Sequence, residues 1–94
     1  MARRRRLRIR VRGFVQGVGF RYFAKKWASI LGLGGWVRNE PDGSVLIEVE
    51  GAPSAIDRFL EKISHGPPAA MVESVVIEHE GEPKNEKTFR IRYL

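Results

Sequence analysis

The sequence predicts an α+β domain in which two helices pack on one face of an antiparallel sheet. Three observations carry this reading. Segments with apolar residues at every second position are interleaved with two segments whose apolar residues recur at helical spacing. Gly, Pro and Asp punctuate the joins. The chain has 94 residues, 43% hydrophobic and 30% charged, enough for one packed core, so residues 1–94 are expected to form a single domain. It contains no cysteine, which excludes a disulfide scaffold, a thiolate zinc site, an iron–sulfur cluster and a cysteine nucleophile. No apolar run approaches the roughly 18 residues of a membrane span.

Leu7-Arg8-Ile9-Arg10-Val11-Arg12 alternates over six residues, as a strand with one wet face does. Residues 14–21 form a glycine-containing loop. A helix is expected over about 21–31, with Phe23, Trp27, Ile30 and Leu31 on its apolar side and Gly32 and Gly34 at its exit. Residues 35–39 read as a second strand and residues 44–50 as a third, joined by the Glu40-Pro41-Asp42-Gly43 turn into a hairpin. Val45, Ile47 and Val49 share one face of the third strand, and Glu48 and Glu50 the other. Ser54-Ala55-Ile56-Asp57 is a candidate capping box for a second helix striped by Ile56, Phe59, Leu60 and Ile63, which Gly66-Pro67-Pro68 ends. A fourth strand follows over 72–80, a polar loop over 81–87, and a last alternating strand over 88–94. The order β-α-β-β-α-β plus a terminal strand is that of the ferredoxin-like α/β sandwich, a fold that hosts many functions.

Charge is distributed unevenly. Residues 1–39 hold 11 Lys or Arg and no Asp or Glu, whereas residues 40–94 hold 6 against 11. Such a split invites a nucleic-acid reading, and Arg3-Arg4-Arg5-Arg6 is expected as a solvated, flexible basic terminus (residues 1–6). The fold weakens the nucleic-acid reading. The first strand should lie between the third and fourth, so that Arg8, Arg10 and Arg12 face Glu48 and Glu50 on one side and Glu78 and Glu80 on the other. No aromatic pair for base stacking appears on the first and third strands. No long apolar stretch follows the arginines as a signal peptide requires, so a cytoplasmic location is expected.

Gly17-Val18-Gly19 lies between a strand and a helix start. It matches neither the dinucleotide fingerprint, since Tyr22 occupies the third glycine position, nor a P-loop. Its amides and the helix N-terminus are suited to an anion. Arg21 is unfavourably placed for the helix dipole unless an anion sits there. A tight structural turn beside a surface arginine is the competing reading. Asn39, at a strand end, is either an ordinary turn residue or a neutral group that orients water. His65 and His79 have no second ligand at metal spacing and read as structural or surface residues. Trp36 is suited either to the core or to a pocket edge.

Gly13-Phe14-Val15-Gln16-Gly17-Val18-Gly19-Phe20-Arg21 resembles the first signature of the acylphosphatases, and Gly35-Trp36-Val37-Arg38-Asn39 with Gly43-Ser44-Val45 resembles the second. The resemblance implies hydrolysis of acyl phosphates to carboxylate and inorganic phosphate. It implies Arg21 as the phosphate-binding arginine, the amides of Val15, Gln16, Gly17, Val18, Gly19 and Phe20 as its partners, and Asn39 as the residue positioning the attacking water. An acyl phosphate already carries a good leaving group, so no general acid is needed, and the substrate's own phosphate is expected to take the proton from water. No metal or cofactor, a small-molecule partner only, no nucleic acid or membrane partner and a monomeric state are the corresponding expectations. The rival functions are a nucleic-acid-binding module and a catalytically silent anion- or protein-binding domain.

Overall fold

The alternation Leu7-Arg8-Ile9-Arg10-Val11-Arg12 becomes the centre of β1 (Arg5–Phe14) in the computed structural model, which describes residues 3–93. Leu7, Ile9 and Val11 are fully buried, while Arg8 and Arg12 are exposed on the opposite face. The remaining elements are α1 (Phe20–Ile30), β2 (Gly34–Asn39), β3 (Val45–Gly51), α2 (Pro53–His65), β4 (Met71–Gly81) and β5 (Phe89–Ile91). The sheet order is β4-β1-β3-β2-β5. β1 lies between β3 and β4 as expected, antiparallel to both. β5 joins β2 in parallel, so the sheet is mixed rather than wholly antiparallel. This is the ferredoxin-like α+β fold.

Both helices cover the same sheet face, α1 over β2 and β5 and α2 over β3 and β4. Phe20, Ala24 and Ala28 of α1 and Ile56, Phe59 and Ile63 of α2 are buried against it. Phe59 and Phe89 bring α2 to the edge strand, with ring centres 6.1 Å apart. Each such side chain contributes roughly 1.5–3 kcal/mol of burial.

Three expectations about the elements change. The α1 face is turned from the Phe23, Trp27, Ile30 and Leu31 stripe towards Phe20, Ala24 and Ala28; Ile30 is 60% exposed. Small residues permit a close approach of helix to sheet, and Phe23, Trp27 and Leu31 flank that contact. The second helix does not open on a Ser54–Asp57 capping box. Ala52 is the N-cap, Pro53 opens the first turn, and the Ala52 carbonyl accepts the Ile56 amide at 3.0 Å, with no side-chain cap. Proline presets the helical φ and lacks the amide that would otherwise need a cap. β5 is shorter than residues 88–94, and Leu94 lies outside the described residues.

The basic terminus is also corrected in part. Arg5 and Arg6 belong to β1, and the Arg6 side chain is only 4% exposed. Arg6 Nε donates to Glu48 at 2.7 Å and its Nη1 to Glu50 at 2.7 Å. Arg4 donates to Glu50 at 3.0 Å. Met1 and Ala2 lie outside the described residues. The cross-strand register departs in detail from the expectation: Arg8 pairs with Glu48 and Arg10 with Glu78, but Glu50 sits opposite Arg6, Glu80 is held by Arg5, and Arg12 reaches Asp42. A register shift between Arg8 and Ile9 in the β1–β4 pairing, which leaves Glu78 as an extra residue, accounts for the change along β4.

Candidate active site

The loop between β1 and α1 turns on two glycines with left-handed backbone, Gly17 at φ 75° and Gly19 at φ 79°. Gly19 is the N-cap of α1 and, having no side chain, leaves the helix start without a side-chain cap. The Gly19 carbonyl accepts the Phe23 amide at 3.0 Å. Among the described residues, no amide from Gln16 to Tyr22 donates to a protein acceptor. Such orphan donors at a helix start form a site of positive partial charge.

Strand parity brings Asn39 to this place. Val37 and Asn39 lie on the helix-covered side of β2, opposite Ile47 and Val45, so the last residue of β2 ends beside the start of α1. Val15, Gly17, Gly19, Phe20, Arg21, Tyr22 and Asn39 line one cavity of about 80 Å³. No carboxylate is among its lining residues. The Arg21 guanidinium has no carboxylate partner among the described residues; its carbon lies 5.0 Å from the centre of the Tyr93 ring. The Asn39 carboxamide makes no hydrogen bond to another described residue, leaving both its donor and acceptor ends free.

Of the residues expected here, Arg21, Asn39, Val15, Gly17, Gly19 and Phe20 converge. Val15 and Phe20 are each 1% exposed, and their side chains belong to the core cluster. The side chains of two others point elsewhere: that of Val18 packs against the core, and Gln16 Nε2 donates to the carbonyls of Glu40 at 2.8 Å and Ser44 at 2.9 Å, tying the loop to the turn that follows Asn39. Asp42 completes that turn. Hydrogen bonds from the Ser44 hydroxyl and amide, together with Arg12, hold its carboxyl well below the usual carboxylate range.

Two residues were not anticipated from sequence. Tyr22 lines the cavity, a position suggested only by its adjacency to Arg21. Tyr93 comes from the opposite end of the chain, and its place over Arg21 depends on the parallel β2–β5 pairing, for which no local pattern exists. Trp36 is buried, though on the sheet face away from the helices and not beside Asn39. It is 8% exposed on the helix-free face, and the guanidinium carbons of Arg38 and Arg92 lie 5.0 and 4.7 Å from its ring centre.

A sequence profile of the acylphosphatase family matches residues 7–91. The chain belongs to the acylphosphatase family. An acylphosphatase of Thermotoga petrophila is 51% identical over 87 residues, covering 93% of this chain and 96% of the relative. One from Moorella thermoacetica is 51% identical over 82 residues, 87% of each chain. The crystal structure of an acylphosphatase from Bacillus subtilis superposes with a TM-score of 0.91 at 39% identity, covering 95% of this chain and 99% of that one. The protein is accordingly an enzyme that hydrolyses acyl phosphates, and its substrate is a small molecule. No helix among the described residues is long and apolar enough to cross a membrane.

Proposed function

We propose that Arg21 and the orphan amides of the 15–20 loop hold the phosphate of an acyl phosphate, while Asn39 orients the water that attacks it. The observation that carries this reading is the convergence of Arg21 and Asn39 on one small cavity without a carboxylate. A guanidinium grips two phosphate oxygens at once, and the helix-start amides suit a third. Water forms the new P–O bond as the bond from phosphorus to the acyl oxygen breaks. The carboxylate departs with its electron pair, and because its conjugate acid has a pKa of roughly 4 it needs no proton. The proton lost by water passes to an oxygen of the substrate's own phosphate, since Asn39 is neutral and the cavity lining offers no stronger base. The developing charge is met by Arg21 and by donors already fixed in position.

The deciding experiment follows hydrolysis of an aromatic acyl phosphate beside a phosphate monoester control. The wild-type protein is expected to turn over the first and to leave the second, with its poor alkoxide leaving group, nearly untouched. Arg21→Ala should raise KM and lower kcat together. Asn39→Ala should lower mainly kcat, by about 10²–10³, the range found for other fixed polar groups at developing charge. Wild-type activity in either variant would remove that residue from the mechanism.

A further inference from the structure

We infer that the helix-free face of the sheet carries a second anion site, a cleft between β2, β5 and the loop before β5 that takes a small ligand with several phosphate-like charges. The cleft has a volume of about 440 Å³, against about 80 Å³ for the cavity holding Arg21 and Asn39, so it is sized for more than one phosphate group. Arg6, Trp36, Lys84, Glu86, Arg90 and Arg92 line it. Its single carboxylate, Glu86, is engaged by Arg6, whose Nη2 lies 3.0 Å from Oε1. Lys84, Arg90 and Arg92 are exposed and have no carboxylate within 4.0 Å among the described residues. They stand out on a surface where Arg5, Arg6, Arg8, Arg10, Arg12 and Arg38 are all paired.

The arrangement is ordered as well as charged. Arg90 lies opposite Trp36 in the parallel β2–β5 pair, and the Arg92 amide donates to the Val37 carbonyl at 2.8 Å. Arg90 lies in β5 and Arg92 just beyond its end, still tied to β2, and both line the cleft; two residues apart along extended chain, they are roughly 7 Å from one another. The Arg92 guanidinium rests on the Trp36 ring, which limits the rotamers it must give up on binding. The same stacking argues for a small polyanion over a single-stranded nucleic acid. Trp36 is 8% exposed beneath guanidinium groups and offers no free ring for a base. Beyond it, β1 presents arginines already neutralised by Glu48 and Glu50 of β3.

Trp27→Phe leaves Trp36 as the sole tryptophan and makes its fluorescence the reporter. Titration of that variant with tripolyphosphate at about 0.15 M salt, where weak surface attraction is largely screened, should give a saturable change. Adding Arg90→Gln and Arg92→Gln should weaken binding by at least about tenfold, the loss expected for charge-assisted hydrogen bonds. Adding Arg21→Ala in their place should leave the midpoint unchanged. Amide NMR shifts on the otherwise wild-type protein should move over residues 84–92 before residues 15–22, a readout independent of whether the variants fold. The proposal fails if no saturable change occurs, if the arginine pair has no effect, or if Arg21→Ala abolishes binding. It fails equally if an oligonucleotide binds there and tripolyphosphate does not.

Discussion

The Arg21 guanidinium and the Tyr93 ring, 5.0 Å apart, meet although far apart in sequence, and Tyr93 is 70% exposed. A cation–π contact in that setting is worth about 0.5–1 kcal/mol. Tyr93→Ala should therefore raise KM by about two- to fivefold through a less ordered arginine, with Tyr93→Phe restoring it; steady-state kinetics of both variants test this. Gln16 acts on the other half of the site. Its amide holds the Glu40 and Ser44 carbonyls of the turn after Asn39, so Gln16→Ala should lower kcat by about tenfold or more while KM stays within about twofold, because each of the two lost hydrogen bonds is worth about 1 kcal/mol. An equal change in both constants would point instead to collapse of the phosphate loop. Arg21, Asn39 and the loop glycines were legible as candidates because they sit in two short contiguous stretches that resemble the acylphosphatase signatures; residue type and spacing alone left a structural reading open for each. Tyr93 was hidden because its partner is 72 positions away in sequence, and the strut role of Gln16 because nothing in a glutamine's neighbours announces which carbonyls it reaches.

At the level of elements, period-two alternation specified β1 and β3 well, because one face of each is fully committed to the core. The helix faces were less legible. Hydrophobicity ranks Ile30 above Ala28, but contact with the sheet at close range selects the small side chain, and Ile30 is left exposed. β2 contains a further constraint that alternation does not express. Gly35 sits at φ 130° between Val49 and Phe89, and a Cβ there would run into the Glu48 carbonyl of β3. Both the backbone conformation and the close approach exclude a side chain, so relief would require β2 to move away from β3. Gly35→Ala is expected to destabilise the protein by about 3 kcal/mol or more, combining strain at a disallowed φ with overpacking. Urea denaturation reads that cost directly. Because β2 also carries Asn39, the residual folded fraction should show a lowered kcat.

The sequence segregates its charges, and the fold brings them back together: arginines of β1 meet glutamates of β3 and β4 across the sheet. At the centre is Glu50, fully buried, which accepts hydrogen bonds from Arg6 Nη1 at 2.7 Å, Arg4 Nη2 at 3.0 Å and the amides of Lys84 at 2.9 Å and Asn85 at 3.1 Å. It thereby fastens the loop that walls the basic cleft. Burial by itself would raise the Glu50 carboxyl, but the Lys84 amide and the arginines outweigh it and bring it down to about 2. For Glu48 also, burial is overcome by Arg8 and Arg6, and its carboxyl is lowered. A carboxyl depressed on folding binds fewer protons in the native state than in the unfolded chain. Its stabilisation is present above the unfolded value near 4.5 and is lost as the pH falls towards 2. For Glu50 the shift corresponds to roughly 3 kcal/mol. Unfolding free energies measured in urea between pH 7 and pH 2 should accordingly hold steady to about pH 5 and then decline. Glu50→Gln leaves Arg6 buried with one anionic partner fewer, so at pH 7 the variant should be less stable by about 3–5 kcal/mol. Its acid decline should be shallower, since the most strongly shifted proton of the buried cluster is gone. Parallel pH profiles for the two proteins would mean that Glu50 carries no more of the acid sensitivity than the exposed carboxylates do.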